Sequence, residues 1–202
     1  MRPRGGKYGA MKQRTFEQSL ARGREAEVAV AEWLRRRGWG IVPGYDYTGS
    51  DGNKGPRATF LSRKLIIPDL DIFKSGKRVW IEVKYYTYAP WNRKLNTNVH
   101  GIPRYYYEHY LEVEKESGHP VFLAVVEEKN SRLLLGRMSQ LTPYPCQCKS
   151  CCSGSPLHCT AALRDGVYFA VGEFHQFVGA FGQWKDTRHR SLGSLAPQRN
   201  AS

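Results

Sequence analysis

Apolar and polar positions alternate from Arg78 to Lys84, sending Val79, Ile81 and Val83 to one side of an extended chain and Trp80, Glu82 and Lys84 to the other. Leu65–Phe73 is a second extended run, and Ser75-Gly76 between the two is the composition of a two-residue hairpin turn. With that turn as the loop, Lys74 pairs with Lys77, Phe73 with Arg78, and Asp69 with Glu82. Helical spacing governs residues 16–37, where Glu27, Ala31 and Leu34 share a stripe beside Val30 and Gly38 ends the run. It returns in Pro103–Ser117, with Tyr106, Tyr110, Val113 and Glu114 at helical intervals and Gly118 as the stop. Trp39–Val42 is a short strand. Val121–Val126 is a buried strand with Leu133–Leu135 as partner across a turn at Asn130-Ser131, and a last strand region falls near Val167–Val171. The pattern predicts an α/β fold with a central mixed sheet flanked by helices.

The hairpin register sets two carboxylates face to face. Opposed residues hold their Cβ atoms about 4.5–5.5 Å apart, where like charges repel unless something positive intervenes. Lys84 supplies one cation on the same face. Hard oxygen donors without thiolates or neutral nitrogens suit Mg²⁺ or Mn²⁺, which keep waters and bridge to phosphate. Such a site performs phosphodiester hydrolysis. The plainer alternative is a solvated hairpin, but Leu65-Ile66-Ile67, Ile72-Phe73 and Val79-Trp80-Ile81 are too apolar for an exposed one.

Charge narrows the partner. The 202 residues include 31 Lys and Arg against 18 Asp and Glu, a net +13, which favours polyanions. No basic amphipathic helix with a strong apolar face stands out and no apolar run nears spanning length, so nucleic acid is expected rather than a membrane. Residues 1–15 form a basic arm without an acid, lacking the apolar segment of a secretion signal. An intracellular protein, cytoplasmic or nucleoid-associated, is expected. Residues 185–202 have the composition of a disordered basic tail.

Two further segments carry chemistry. Residues 85–94 interleave rings with cations, so Tyr86, Tyr88, Trp91, Arg93 and Lys94 are candidates to stack on bases and neutralise backbone, with Lys54 and Arg57 from the glycine-rich loop before Asp69. The alternative is an aromatic strand end packed on the core. Cys146, Cys148, Cys151, Cys152 and Cys159 crowd together with His158, and inside a cell this reads as a metal site before disulfides. Cys148-Lys149-Ser150-Cys151 is half of a zinc knuckle, and a subset of the remaining ligands completes a tetrahedron around structural Zn²⁺.

Pro68-Asp69 followed by Glu82-Val83-Lys84 resembles the motif of the PD-(D/E)xK nuclease superfamily, and Gly23–Trp39 is similar to the first helix of archaeal Holliday-junction resolvases and RecB-like phage nucleases. The resemblance covers roughly residues 16–128. It implies a restriction-endonuclease-like fold and Mg²⁺-dependent cleavage of DNA, branched or otherwise structured, in recombination, repair or phage DNA processing. It implies Glu27 as a further metal ligand, with Glu25 as competitor, beside Asp69, Glu82 and the Val83 carbonyl. Lys84 would orient water or stabilise the transition state, and Asp71 would stand as an outer carboxylate. The helix after the Glu-x-Lys strand commonly covers such sites, making Tyr106, His109 and Tyr110 candidates. Two cuts in a symmetric junction would call for a homodimer. Some RecB-like relatives bind an iron–sulfur cluster, but through cysteines on both sides of the core, and here none precedes it; zinc is favoured. The expected organisation is thus arm 1–15, nuclease core 16–141, Cys-rich insertion 142–162, a strand and helix region 163–184 packing on the core, and tail 185–202. The rival is a basic, zinc-containing nucleic-acid-binding protein on a non-catalytic nuclease-like core.

Overall fold

The structure is a computed structural model and describes residues 16–43, 57–60, 63–93, 95–145, 166–178 and 180. Helix α1 (Phe16–Arg35) is built from good helix formers, and its buried positions Ala26, Ala29, Val30, Trp33 and Leu34 recur at helical intervals. Gly38 turns the chain away with φ 79°, a left-handed conformation that suits glycine. Strand β1 (Gly40–Pro43) follows, then β2 (Arg57–Phe60) and β3 (Arg63–Ile66) as a separate two-stranded ribbon.

The run 65–73 is one strand in the sequence pattern and two in the structure: β3 stops at Ile66 and β4 (Leu70–Lys74) starts after Asp69. Pro68 has no N–H for a ladder, and the Ile66 N–H is taken at 2.9 Å by Nδ1 of His109. From Leu70 onward β4 and β5 (Lys77–Tyr86) pair in the register the turn dictates, Leu70 with Ile81 through Lys74 with Lys77. Ser75 and Gly76 both have positive φ, 49° and 76°.

Two short strands, β6 (Trp91–Asn92) and β7 (Thr97–Pro103), lead into helix α2 (Arg104–Ser117), which Gly118 ends at φ 66°. Strand β8 (Val121–Glu127) then runs parallel to β5, and β9 (Arg132–Arg137) returns antiparallel. After β10 (Tyr144–Pro145) come β11 (Gly166–Ala170) and β12 (His175–Val178). The central six-stranded sheet has the order β1-β4-β5-β8-β9-β12, antiparallel except for β5-β8; a four-stranded sheet has the order β10-β11-β7-β6. The fold is therefore mixed α/β, as the pattern predicts.

Each face of the central sheet has its own core. Ile72, Ile81, Val83, Ala124, Val126 and Leu133 pack with α1. Trp80, Leu123, Val125 and Leu134 pack with Tyr110 and Val113 of α2 and with Ile102, Val167 and Phe169 of the second sheet. Among the described residues no helix is long and apolar enough to cross a membrane.

Candidate active site

Alternation along β5 decides what faces what. Ile81 and Val83 point to α1, so Glu82, Lys84 and Tyr86 share the opposite face with Trp80, beneath α2. Glu82 is only 2% exposed there. Asp69 lies just beyond the β4 ladder, and its Oδ2 accepts the Val83 N–H at 2.8 Å, so a side chain extends the register that the backbone has left. Asp69 and Glu82 are thereby neighbours, and Lys84 forms an ion pair with Oε1 of Glu82.

Oε2 of Glu82 is buried and has no hydrogen-bond partner among the described residues. Burial pushes the Asp69 carboxyl well above the usual carboxylate range, the charges of Glu82 and Glu27 push the same way, and Lys84 and the Val83 N–H offset them in part. Burial works against the Lys84 ammonium, but the charges of Glu82 and Asp69 outweigh it and raise its pKa. Tyr110 of α2 comes close enough that burial first, then the charges of Glu82 and Asp69 and its hydroxyl's contact with Glu82, raise the phenol well above the ordinary value. Oε2 itself is still left without a hydrogen bond among the described residues. The Tyr106 ring centroid lies 5.5 Å from Nζ of Lys84.

Glu27 stands on α1, the helix that packs against the sheet face opposite Glu82 and Lys84. Its side chain is half-buried and its charge acts on Asp69. Glu25 is exposed and paired with Arg22 at 2.9 Å. Both carboxylate oxygens of Asp71 accept from Arg78, Nη2 to Oδ2 at 2.7 Å and Nε to Oδ1 at 2.9 Å. Nδ1 of His109 accepts the Ile66 N–H.

The aromatic and basic set divides. Tyr86 takes the core alternative, donating its hydroxyl to the Gly101 carbonyl with its ring tilted on His100. Tyr88 and Trp91 are exposed, with Nζ of Lys129 5.9 Å from the Tyr88 ring, and Arg93 is exposed. Arg57 is a β2 position whose side chain, like Lys54 and Lys94, lies outside the described residues. So do Cys146, Cys148, Cys151, Cys152, His158 and Cys159, in the segment joining neighbouring strands β10 and β11.

Among the described residues no three His, Cys, Asp or Glu side chains stand close enough together to hold a metal ion. Glu27, Asp69 and Glu82 therefore form no ready three-carboxylate cage. Mg²⁺ needs less, keeping several waters and using one or two carboxylates with substrate oxygens. Asp69 and the orphaned Oε2 of Glu82 fit that smaller donor set.

No protein-family model and no curated protein sequence matches the chain. Among solved structures it is similar to Hjc, a Holliday junction resolvase from the archaeal hyperthermophile Archaeoglobus fulgidus, at 11% identity, over 75% of this chain and 91% of that one, with a TM-score of 0.45. At that score the weight falls on this chain's own side chains.

Proposed function

We propose that the protein is a divalent-metal-dependent DNA nuclease that hydrolyses phosphodiester bonds in branched or otherwise structured DNA. One observation supports this above the rest: a buried carboxylate with an unsatisfied oxygen, Glu82, beside a second acid and a lysine. Retaining an ion in a core costs several kcal/mol unless it is paired and hydrogen-bonded, so half-satisfied charge at this position argues for a ligand.

In this reading Asp69, Glu82 and the Val83 carbonyl would hold Mg²⁺ or Mn²⁺, with Glu27 as a further carboxylate acting through Asp69. The metal when bound would neutralise charge on the phosphate and lower the pKa of a coordinated water. Lys84, kept protonated by its acids, donates to the attacking water or to a non-bridging phosphate oxygen. Tyr110, its phenol kept neutral, closes the α2 side and excludes bulk water. The net charge of +13 draws in the DNA, with Tyr88, Trp91 and Arg93 as exposed contacts and Lys54, Arg57 and Lys94 as further cations. A structural Zn²⁺ on a subset of the five cysteines and His158, a homodimer on four-way junctions and an intracellular site belong to the same reading.

A non-catalytic nucleic-acid-binding role has one observation in its favour: Lys84 already occupies Oε1 of Glu82, and among the described residues no third ligand closes the group. Incubating the full chain with labelled linear, flapped and four-way DNA, in Mg²⁺ or in EDTA, separates the two. The nuclease reading expects Mg²⁺-dependent cleavage that falls on the order of a thousandfold in Asp69→Ala and in Lys84→Ala, while DNA binding persists. Cleavage undiminished in either variant removes this site; no cleavage of any DNA by the wild type leaves the binding role. Metal analysis of the same sample reads the zinc.

A further inference from the structure

We propose that the C-terminal end of α1 and the β4–β5 turn form a phosphate-binding ridge that holds a second segment of DNA, separate from the one at the carboxylates. The proposal deepens the nuclease reading and rests on it only for what lies at Asp69 and Glu82. Arg35, Arg36 and Arg37 follow one another where α1 ends, and all three are exposed. Lys74 and Lys77 flank the turn, pair directly across it and are exposed as well. Alternation puts both lysines on the α1 side of the sheet, in line with Ile72 and Val79. Nζ of Lys74 donates to the Arg37 carbonyl at 2.5 Å, so the two groups of cations meet.

The fold gathers these charges without balancing them. Like charges directly opposed across a hairpin are destabilising, as Lys74 and Lys77 are here. Among the described residues Arg35, Arg36 and Lys77 make no ion pair. Two acids stand near. Glu32 is exposed one turn back from Arg36 with no ion pair joining the two, and Asp71 lies on the other sheet face, held by Arg78. One end of the ridge is already ordered, since the Arg37 guanidinium lies 3.8 Å from the Trp33 ring centroid and donates to the Trp33 carbonyl at 3.2 Å. Five cations exceed what one small anion would balance; successive phosphates of a backbone answer them. Lys77 stands about 17 Å from Glu82 at strand spacing, and alternation sets the two on opposite faces of the sheet. A duplex passing the carboxylates on the α2 side therefore leaves the ridge free for another, and branched DNA offers one.

The test is capture in EDTA, where cleavage plays no part. A biotinylated duplex on beads is incubated with the full chain, washed, and offered a fluorescent duplex of different sequence. Wild type is expected to retain the fluorescent duplex. Arg36→Ala combined with Lys77→Ala should still bind the bead-bound duplex but retain on the order of tenfold less of the second. Arg36→Lys with Lys77→Arg keeps both charges and should restore capture, and thermal melts confirm that each variant is folded. No capture by wild type, capture undiminished in the alanine variant, equal loss of both duplexes, or no rescue by the charge-preserving variant overturns the ridge. Capture that depends on Arg36 and Lys77 in a protein that cleaves nothing keeps the ridge and removes the nuclease. Mg²⁺-dependent cleavage with capture undiminished in the alanine variant does the reverse.

Discussion

Two buried glutamates on neighbouring strands of the central sheet have opposite surroundings. Glu127, at the end of β8, is fully enclosed and fully satisfied: Nε2 of His100 donates to it at 2.6 Å, Nε of Arg132 at 2.7 Å, and Asn130 contributes a third donor. Glu82, on β5, is as deeply buried but has one lysine and one orphaned oxygen. A carboxylate with every lone pair engaged is a fastener, here tying β7 to the β8–β9 turn. A carboxylate left short of partners beside a second acid is unstable in the same surroundings until something completes it.

Removing the fastener should have the largest effect. Glu127→Ala strands the Arg132 guanidinium and His100 and should cost about 3–5 kcal/mol in urea unfolding; a loss as small as that of a surface substitution would erase the contrast. The same residue sets the acid limb. Burial pushes its carboxyl up, but hydrogen bonds from His100, Arg132 and Asn130 outweigh this and hold it at about 2. A carboxyl lowered in the folded state contributes its stability in full above its unfolded value of 4.5 and loses it as pH falls toward about 2. Glu127→Gln should therefore flatten the decline of melting temperature across that window.

The unsatisfied region should respond to a cation instead. Mg²⁺ at a hundredfold excess over its Kd should stabilise the wild type by about 2.7 kcal/mol and leave Asp69→Asn unmoved; a wild-type melt indifferent to Mg²⁺ would count against the two-acid donor set. The smallest effect has the most telling sign. Asp69 is raised in the folded state, so the unfolded chain releases that proton first and stability declines as pH climbs from the unfolded value through the folded one. Asp69→Asn keeps an acceptor for the Val83 N–H and removes the charge, and at pH 7 without metal it should be more stable than wild type by about 1 kcal/mol. A destabilised Asp69→Asn would show that the carboxylate is structural, like Glu127.

Local rules explain how much of this could be read from the sequence. The β4–β5 register follows from a two-residue turn and a period of two, both contained in adjacent residues, and so does the meeting of Asp69 with Glu82. The apolar stripe of α1 and the β8–β9 hairpin were legible for the same reason. What lay hidden depends on distant partners. Strand β7 contains glycine, histidine and a terminal proline, and is a strand because β11 covers it, Ile102 against Val167 and His100 against Phe169. Tyr86 reads as a surface aromatic until that sheet supplies His100 and the Gly101 carbonyl. The break after Ile66 follows from Pro68, visible in the sequence, and from the His109 imidazole, which no periodicity reports. Tyr105 differs from Tyr106 and Tyr107 only in the direction it faces, and three consecutive tyrosines give no hint of which one stays outside.

The parallel pairing of β5 with β8 also imposes an order on assembly. A two-residue loop closes the β4–β5 hairpin on the order of microseconds, whereas bringing β8 alongside β5 closes a far longer loop that contains β6, β7 and α2. The two acids consequently meet while water still surrounds them, and their mutual repulsion grows only as the crossover helix seals them in. Refolding should slow at that sealing step as pH rises and the Asp69 carboxyl enters the closure ionised.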